Sequence, residues 1–271
     1  MDSVWNMRLG LAANLARMHR TISIEAVDDI VGGPLAVGPI ARPALQPAAL
    51  RLTMTKTLPP PHFTLSADEA SPDFPPLEDG PFRPSALVEI KPQAGGPRLD
   101  VRYATANNFL GKPVYPQARA FLQQPAAEAL CRAHERLKPL GFGLLVFDGY
   151  RPWSVTKLFW DAVSGEKRLF VADPAEGSRH NRGCTVDLSL YHLDTGFEAA
   201  LPSEFDEMNE KAYPDYMGGT QESRRLRDFL RQAMEAEGFS VHPREWWHFD
   251  YRDWQEYAIL DVAFASLTPL A

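Results

Sequence analysis

Cysteine is scarce in this chain: two residues in 271, Cys131 and Cys184, 53 positions apart and in no C-x-x-C pair. That count excludes a disulfide scaffold and a cysteine-rich zinc site. One disulfide between them is an alternative; two buried free thiols are the expectation, since unpaired cysteine behaves as a small buried hydrophobe. An uninterrupted apolar run of the about 18 residues that a membrane helix needs is also missing. The apolar region from Met7 to Met18 is broken by Arg8, Asn14 and Arg17, too often for a clean signal peptide. A cytoplasmic location is therefore expected. A periplasmic one follows if the N-terminus is a degenerate or mis-started signal, with Met18 or Met54 as alternative starts. No long basic run occurs, and 28 Lys and Arg against 35 Asp and Glu give a net charge of −7. Nucleic-acid binding and a polybasic membrane anchor both need clustered positive charge, so neither is supported.

What is present fits a globular enzyme. The chain is 45% hydrophobic and 23% charged, long enough for one domain with a substantial core. Of its 24 prolines, 12 fall between Pro34 and Pro84. Proline at that density opposes helices. Residues 1–84 are read as a Pro-rich, weakly structured extension carrying no chemical motif, and residues 85–271 as the catalytic domain. In that domain Ala86–Ile90, Asp100–Thr105, Leu144–Phe147 and Trp246–Tyr251 have strand character. Cys184–Tyr191 alternates as a strand buried on one face would, with Val186, Leu188 and Leu190 opposite Asp187 and Ser189. Helical stripes run through Ala126, Leu130, Ala133 and Leu137, through Val155, Leu158, Phe159 and Ala162 with Ser154 as N-cap, and through Leu226, Phe229, Leu230 and Ala233 up to Gly238. Strands and helices mix without regular alternation and no internal repeat is visible, so the expected class is α+β.

Seven histidines are present, and His180 and His248 stand in distinctive company. His180 lies in Ser178-Arg-His-Asn-Arg-Gly183, which leads through Cys184 to Asp187. His248 closes Glu245-Trp-Trp-His. A catalytic zinc takes three protein ligands and keeps one position open. A loop histidine, a turn permitted by Gly183 and an aspartate on the next strand can converge on one point. His248 is the best third donor. Glu245 is then placed to serve as general base, provided it sits at a loop–strand junction after Pro243, because residues three apart on a regular strand point to opposite faces. Each motif alone is weak and, taken singly, reads more readily as a surface or capping group; the flanking sequence reverses that balance.

The flanking sequence resembles the D-alanyl-D-alanine dipeptidase family, the VanX-type zinc dipeptidases. The resemblance rests on ordered motifs over residues 100–252: Tyr103-Ala-Thr, Asn108-Phe-Leu-Gly-Lys-Pro-Val114, Asp148-Gly-Tyr-Arg-Pro152, Ser178 to Asp187, Leu193-Asp-Thr-Gly196, Phe205-Asp-Glu-Met208 and Glu245-Trp-Trp-His248. It implies a zinc D,D-peptidase fold of hedgehog type, with a mainly antiparallel sheet and flanking helices. It implies one zinc per chain on His180, Asp187 and His248, with Glu245 as base. Arg151 would stabilise the oxyanion, with an ion pair to Asp148 as the plainer role. Asp206 and Tyr103 would hold the substrate ammonium, turn capping and core packing being their plainer roles. Ser178 would donate to the substrate carboxylate. The implied partner is a small D,D-dipeptide; oligomeric state is left open. Cys184 stands where a smaller Ala or Ser is common, and the segment from Pro152 to Ser178 is shorter than in some members.

Rival readings remain. Ser154-Val-Thr-Lys157 matches the S-x-x-K of serine-type penicillin-binding proteins, but S-D-N and K-T-G are absent. A hedgehog-like zinc-binding module would need neither Glu245 nor Arg151. A D,D-carboxypeptidase acting on peptidoglycan stems would gain nothing from a carboxylate at Asp206.

Overall fold

The computed structural model describes residues 72–92 and 96–267. The expected extension lies outside the described residues as far as residue 71. Residues 72–84 contain no helix or strand, yet they are held against the domain. The Glu78 carboxylate accepts from the Arg182 guanidinium and, at 2.7 Å, from Ile259 N–H, and Arg83 N–H donates to the Glu256 carbonyl at 2.7 Å. Packed chain therefore begins before Ser85.

The ordered elements run β1 (Leu87–Glu89), β2 (Arg98–Leu99), β3 (Phe121–Gln123), α1 (Gln124–Leu137), β4 (Phe142–Asp148), α2 (Trp153–Ala162), β5 (Thr185–His192), α3 (Gln221–Glu235), β6 (Phe239–His242) and β7 (Glu245–Tyr251). Five strands form a sheet in the order β2-β4-β5-β7-β6; β1 and β3 form a separate antiparallel pair. Only β2–β4 is parallel in the large sheet, so the α+β class holds. Helices α1 and α3 pack on each other and on the sheet. Their inward faces are apolar stripes: Ala126, Ala129, Leu130, Ala133 and Leu137 on α1, and Leu226, Leu230, Ala233 and Met234 on α3. Gly238, at φ 89°, makes the left-handed turn into β6.

Four expectations change. Asp100–Thr105 is not a strand: the ladder ends at β2, and Arg102–Ala104 forms a 3-10 turn. The Tyr103 carbonyl accepts from the N–H groups of both Val114 and Tyr115, which folds this segment back on itself. Ser154 does not cap α2. Pro152 occupies the N-cap position, and Asp261 accepts from Ser154 N–H at 2.9 Å and from its hydroxyl at 2.7 Å. Cys131 is exposed because it falls off the buried stripe of α1; Cys184 is buried, and both are free. Finally, β5 is buried on both faces from Thr185 to Tyr191. It is the central strand of the sheet, and its polar face, carrying Asp187, is enclosed by the groups described next.

Candidate active site

β5 and β7 run antiparallel with Asp187 directly opposite His248, so the two side chains leave the same face of the sheet side by side. His180 reaches them from a 3-10 turn, Arg179–Arg182, just before β5. That turn is fixed locally. The Ser178 hydroxyl accepts from His180 N–H, and the Asn181 amide accepts from Ser178 N–H while donating to the Arg151 carbonyl at 2.9 Å and the Thr156 hydroxyl at 2.8 Å. Gly183 ends the turn at φ 69°, and a Cβ there would lie 2.4 Å from Leu87 Cδ2. Only glycine satisfies both the backbone angle and the approach of β1.

Three donor atoms converge. His180 Nε2 is 3.3 Å and His248 Nδ1 3.2 Å from Asp187 Oδ1, and the two ring nitrogens are 3.2 Å apart. Each imidazole places its other nitrogen on an oxygen: His180 Nδ1 is 2.7 Å from the Gly149 carbonyl, and His248 Nε2 is 3.1 Å from Asp250 Oδ1. A proton on each outward nitrogen leaves lone pairs on the inward ones. Asp187 Oδ1 is buried without a hydrogen-bond donor. Three lone pairs facing one another in a buried place repel unless a cation lies among them. Ligands about 2.0–2.1 Å from a tetrahedral zinc sit about 3.3 Å apart, so the donor set fits that ion.

Glu245 is the first residue of β7, where the β6–β7 register shifts between Val241 and His242. This irregularity brings Glu245 to the ligand face, with Oε2 3.4 Å from His248 Nδ1. Burial, reinforced by the Asp187 charge against the pull of His248, pushes its carboxyl up to about 7. Arg151 is buried, donates from Nε and Nη2 to Asp148 Oδ2 at 3.0 and 2.8 Å, and has Nη2 3.6 Å from Asp187 Oδ2. The ion pair with Asp148 and a place on the cavity wall thus coexist. Asp148 is itself held by the Tyr115 hydroxyl and Gly149 N–H, both at 2.9 Å. Tyr103 is buried among Phe109, Tyr115, Phe159 and Phe205, and its hydroxyl donates to Asp206 at 3.0 Å. Asp206 has φ 60°, the sole non-glycine residue with positive φ among those described. Burial, and then the charge of Asp187, push its carboxyl up to about 8.

A cavity of about 270 Å³ joins these groups. Tyr103, Arg151, Ser178, His180, Asp187, Asp206, Glu245 and His248 all line it, so the eight residues expected at the zinc and substrate site meet in one place. The sequence reading missed Asp250, which lies against His248 Nε2, and Arg179 and His242, which line the cavity. Asp250 was legible in principle: it stands two residues after His248 and shares its strand face. Arg179 and His242 carried no signal, because their positions depend on a turn and a register shift.

A buried His–Asp–His triangle with a carboxylate beside it, opening into a cavity, is the donor arrangement of a metal-dependent hydrolase. The chain belongs to the M15 peptidase family described as D-ala-D-ala dipeptidase, whose profile matches residues 85–265, and is accordingly a metallopeptidase. It is similar to the D-alanyl-D-alanine dipeptidase of Enterococcus faecalis, 39% identical over 176 residues that cover 58% of this chain and 87% of the relative. The Streptomyces coelicolor D-alanyl-D-alanine dipeptidase is 38% identical over 176 residues, with the same 58% and 87% coverage. That of Escherichia coli is 31% identical over 167 residues, covering 62% of this chain and 85% of the relative. Among the described residues no helix is long and apolar enough to cross a membrane.

Proposed function

We propose that this chain hydrolyses the free dipeptide D-Ala-D-Ala to two D-Ala with one zinc ion held by His180, Asp187 and His248. The observation that carries the reading is the convergence of three buried donor atoms, 3.2–3.3 Å apart, in a cavity also lined by Glu245, Arg151 and Asp206. Zinc bound there supplies Lewis-acid polarisation of the scissile carbonyl. The remaining work falls to the chain's own side chains. Glu245 removes a proton from the attacking water and delivers it to the leaving amine; a carboxyl raised toward neutrality suits both halves of that transfer. The Arg151 guanidinium, oriented by Asp148, faces negative charge as it develops on the carbonyl oxygen. Asp206, braced by Tyr103, accepts the substrate ammonium. Ser178 accepts from His180 N–H and keeps its own hydroxyl proton to donate to the substrate carboxylate.

Asp206 sets the size of the substrate. A longer stem peptide would put a neutral amide against this carboxylate, so the free dipeptide is favoured over a D,D-carboxypeptidase substrate. The test is release of D-Ala from D-Ala-D-Ala and from a stem peptide ending in D-Ala-D-Ala, by zinc-loaded and chelator-treated protein. Zinc-dependent cleavage of the dipeptide is expected. Cleavage of the stem alone would transfer the activity to the carboxypeptidase class, and cleavage unaffected by metal removal would end the zinc mechanism.

A further inference from the structure

The outer side of His248 carries a built arrangement that the proposed chemistry does not use. Asp250 follows two residues after His248 on β7 and lies opposite Thr185 on β5, as His248 lies opposite Asp187. The four residues therefore share one face of the sheet. Asp250 is 3% exposed. Its Oδ1 accepts from the Thr185 hydroxyl at 2.7 Å and lies 3.1 Å from His248 Nε2. Its Oδ2 is paired with the Arg179 guanidinium. Arg179 lies between Ser178 and His180, lines the cavity, and has its guanidinium carbon 4.7 Å from the centre of the Trp254 ring. Asp250 itself does not line the cavity.

We propose that Asp250 is a positioning residue for the zinc ligand His248 and that Arg179 fixes Asp250 in turn. The proposal rests on the reading of His248 as a zinc ligand. A carboxylate accepting the Nε2 proton fixes the ring's rotation and tautomer and raises the donor strength of Nδ1. An unanchored aspartate would rotate about its side-chain bonds and present this acceptor only part of the time. Thr185 and Arg179 occupy both of its oxygens and hold one rotamer. The Trp254 ring supports the guanidinium from its face. Arg179 thereby links the cavity wall to the far side of a ligand through a single carboxylate.

The experiment measures zinc affinity by chelator competition, the visible absorption spectrum of the cobalt-substituted protein, and kcat and KM for D-Ala-D-Ala. Asp250→Asn keeps the shape but loses the charge, and is expected to weaken zinc binding about 10-fold, within the range of about 10–100-fold for an outer partner of a metal ligand. The cobalt bands should shift. Asp250→Ala should reach the upper part of that range. Arg179→Ala should weaken zinc several-fold and Arg179→Lys should recover part of the loss. At saturating metal the Asp250 variants should lower kcat and leave KM nearly unchanged, because Asp250 does not face the cavity. Unchanged zinc affinity and cobalt spectrum in Asp250→Asn would overturn the proposal; this variant decides the matter if Asp250→Ala fails to fold. Unchanged affinity in folded Arg179→Ala would overturn the second link. His248→Ala is the control: if it keeps zinc, the ligand assignment itself fails, whereas loss of zinc there with full retention in Asp250→Asn defeats only the inference drawn here.

Discussion

Asp187 and His248 face each other across the β5–β7 ladder, with Asp187 Oδ1 3.2 Å from His248 Nδ1. Two of the three donors are thus held by backbone hydrogen bonding of central strands, and only His180 depends on a turn. His180→Ala and His248→Ala should each remove most of the zinc found by elemental analysis, while far-ultraviolet circular dichroism stays close to the parent's. Full zinc retention in both variants would sink the ligand assignment.

Glu245→Gln preserves shape and removes the proton acceptor. Zinc content should be unchanged and kcat should fall at least ~10²-fold, the lower range for a positioned acid–base group. A kcat near that of the parent takes Glu245 out of the mechanism.

Selectivity for the free amine is expected to rest on Asp206. The ammonium draws this carboxyl into its ionised form and pairs with it, whereas against a neutral amide the carboxyl keeps its proton and that pairing is lost. A charge-assisted hydrogen bond of about 1.5–3 kcal/mol corresponds to about 10–10²-fold in kcat/KM. Free D-Ala-D-Ala should be preferred over its N-acetyl form by that margin, and Asp206→Asn should shrink the preference chiefly by slowing the free dipeptide. Asparagine is a better probe than alanine because the backbone at this position has φ 60°, where Asn is tolerated and Ala is strained. Equal rates for both substrates in the parent would reduce Asp206 to a structural role.

Asp206 also predicts a pH trend in stability. Its folded-state value is about 8, against about 3.9 in an unfolded chain. Between those values the folded protein keeps a proton that the unfolded chain has released, so stability falls as pH rises through the window. Asp206→Asn has no such proton. Its Tm relative to the parent should therefore climb from pH 5 to pH 8 and level off above. The climb should be steeper without zinc, because the cation offsets the Asp187 charge that adds to the shift. A difference in Tm that does not vary with pH would contradict the assignment.

Removal of the first 71 residues should leave kcat/KM intact. Removal of the first 84 takes away Glu78 and Arg83, and with Glu78 the partner of Arg182 and of Ile259 N–H. Losing partners of partly buried polar groups costs about 1–3 kcal/mol, which for a domain of this size lowers Tm by several degrees. Equal Tm values for the two truncations would show that the docked segment adds nothing to stability.

The residues of the proposed site could be picked out in the sequence because they lie in local motifs. Ser178 to Asp187 and Glu245 to His248 contain the proposed donors and base, and alternation along β5 places Thr185, Asp187 and Ser189 on one face. The proline-rich composition and the helical stripes were equally local. Other features were decided by contacts between distant segments. Ser154 looked like a cap, but Asp261, 107 residues away, performs that task for its N–H. The Asp100–Thr105 segment has strand formers, but hydrogen bonds to Val114 and Tyr115 turn it, and so place Tyr103 against Asp206. Glu245 and His248 lie three apart and would oppose each other on a regular strand; the register shift against β6 puts them together. The pairing of Asp250 with His248 and Arg179 likewise belongs to the sheet and the neighbouring turn. Sequence determined which chemical groups are available, because side-chain identity and short-range periodicity are local properties. Tertiary structure decided their orientation and proton affinity, because both depend on burial and on charges brought close from remote parts of the chain.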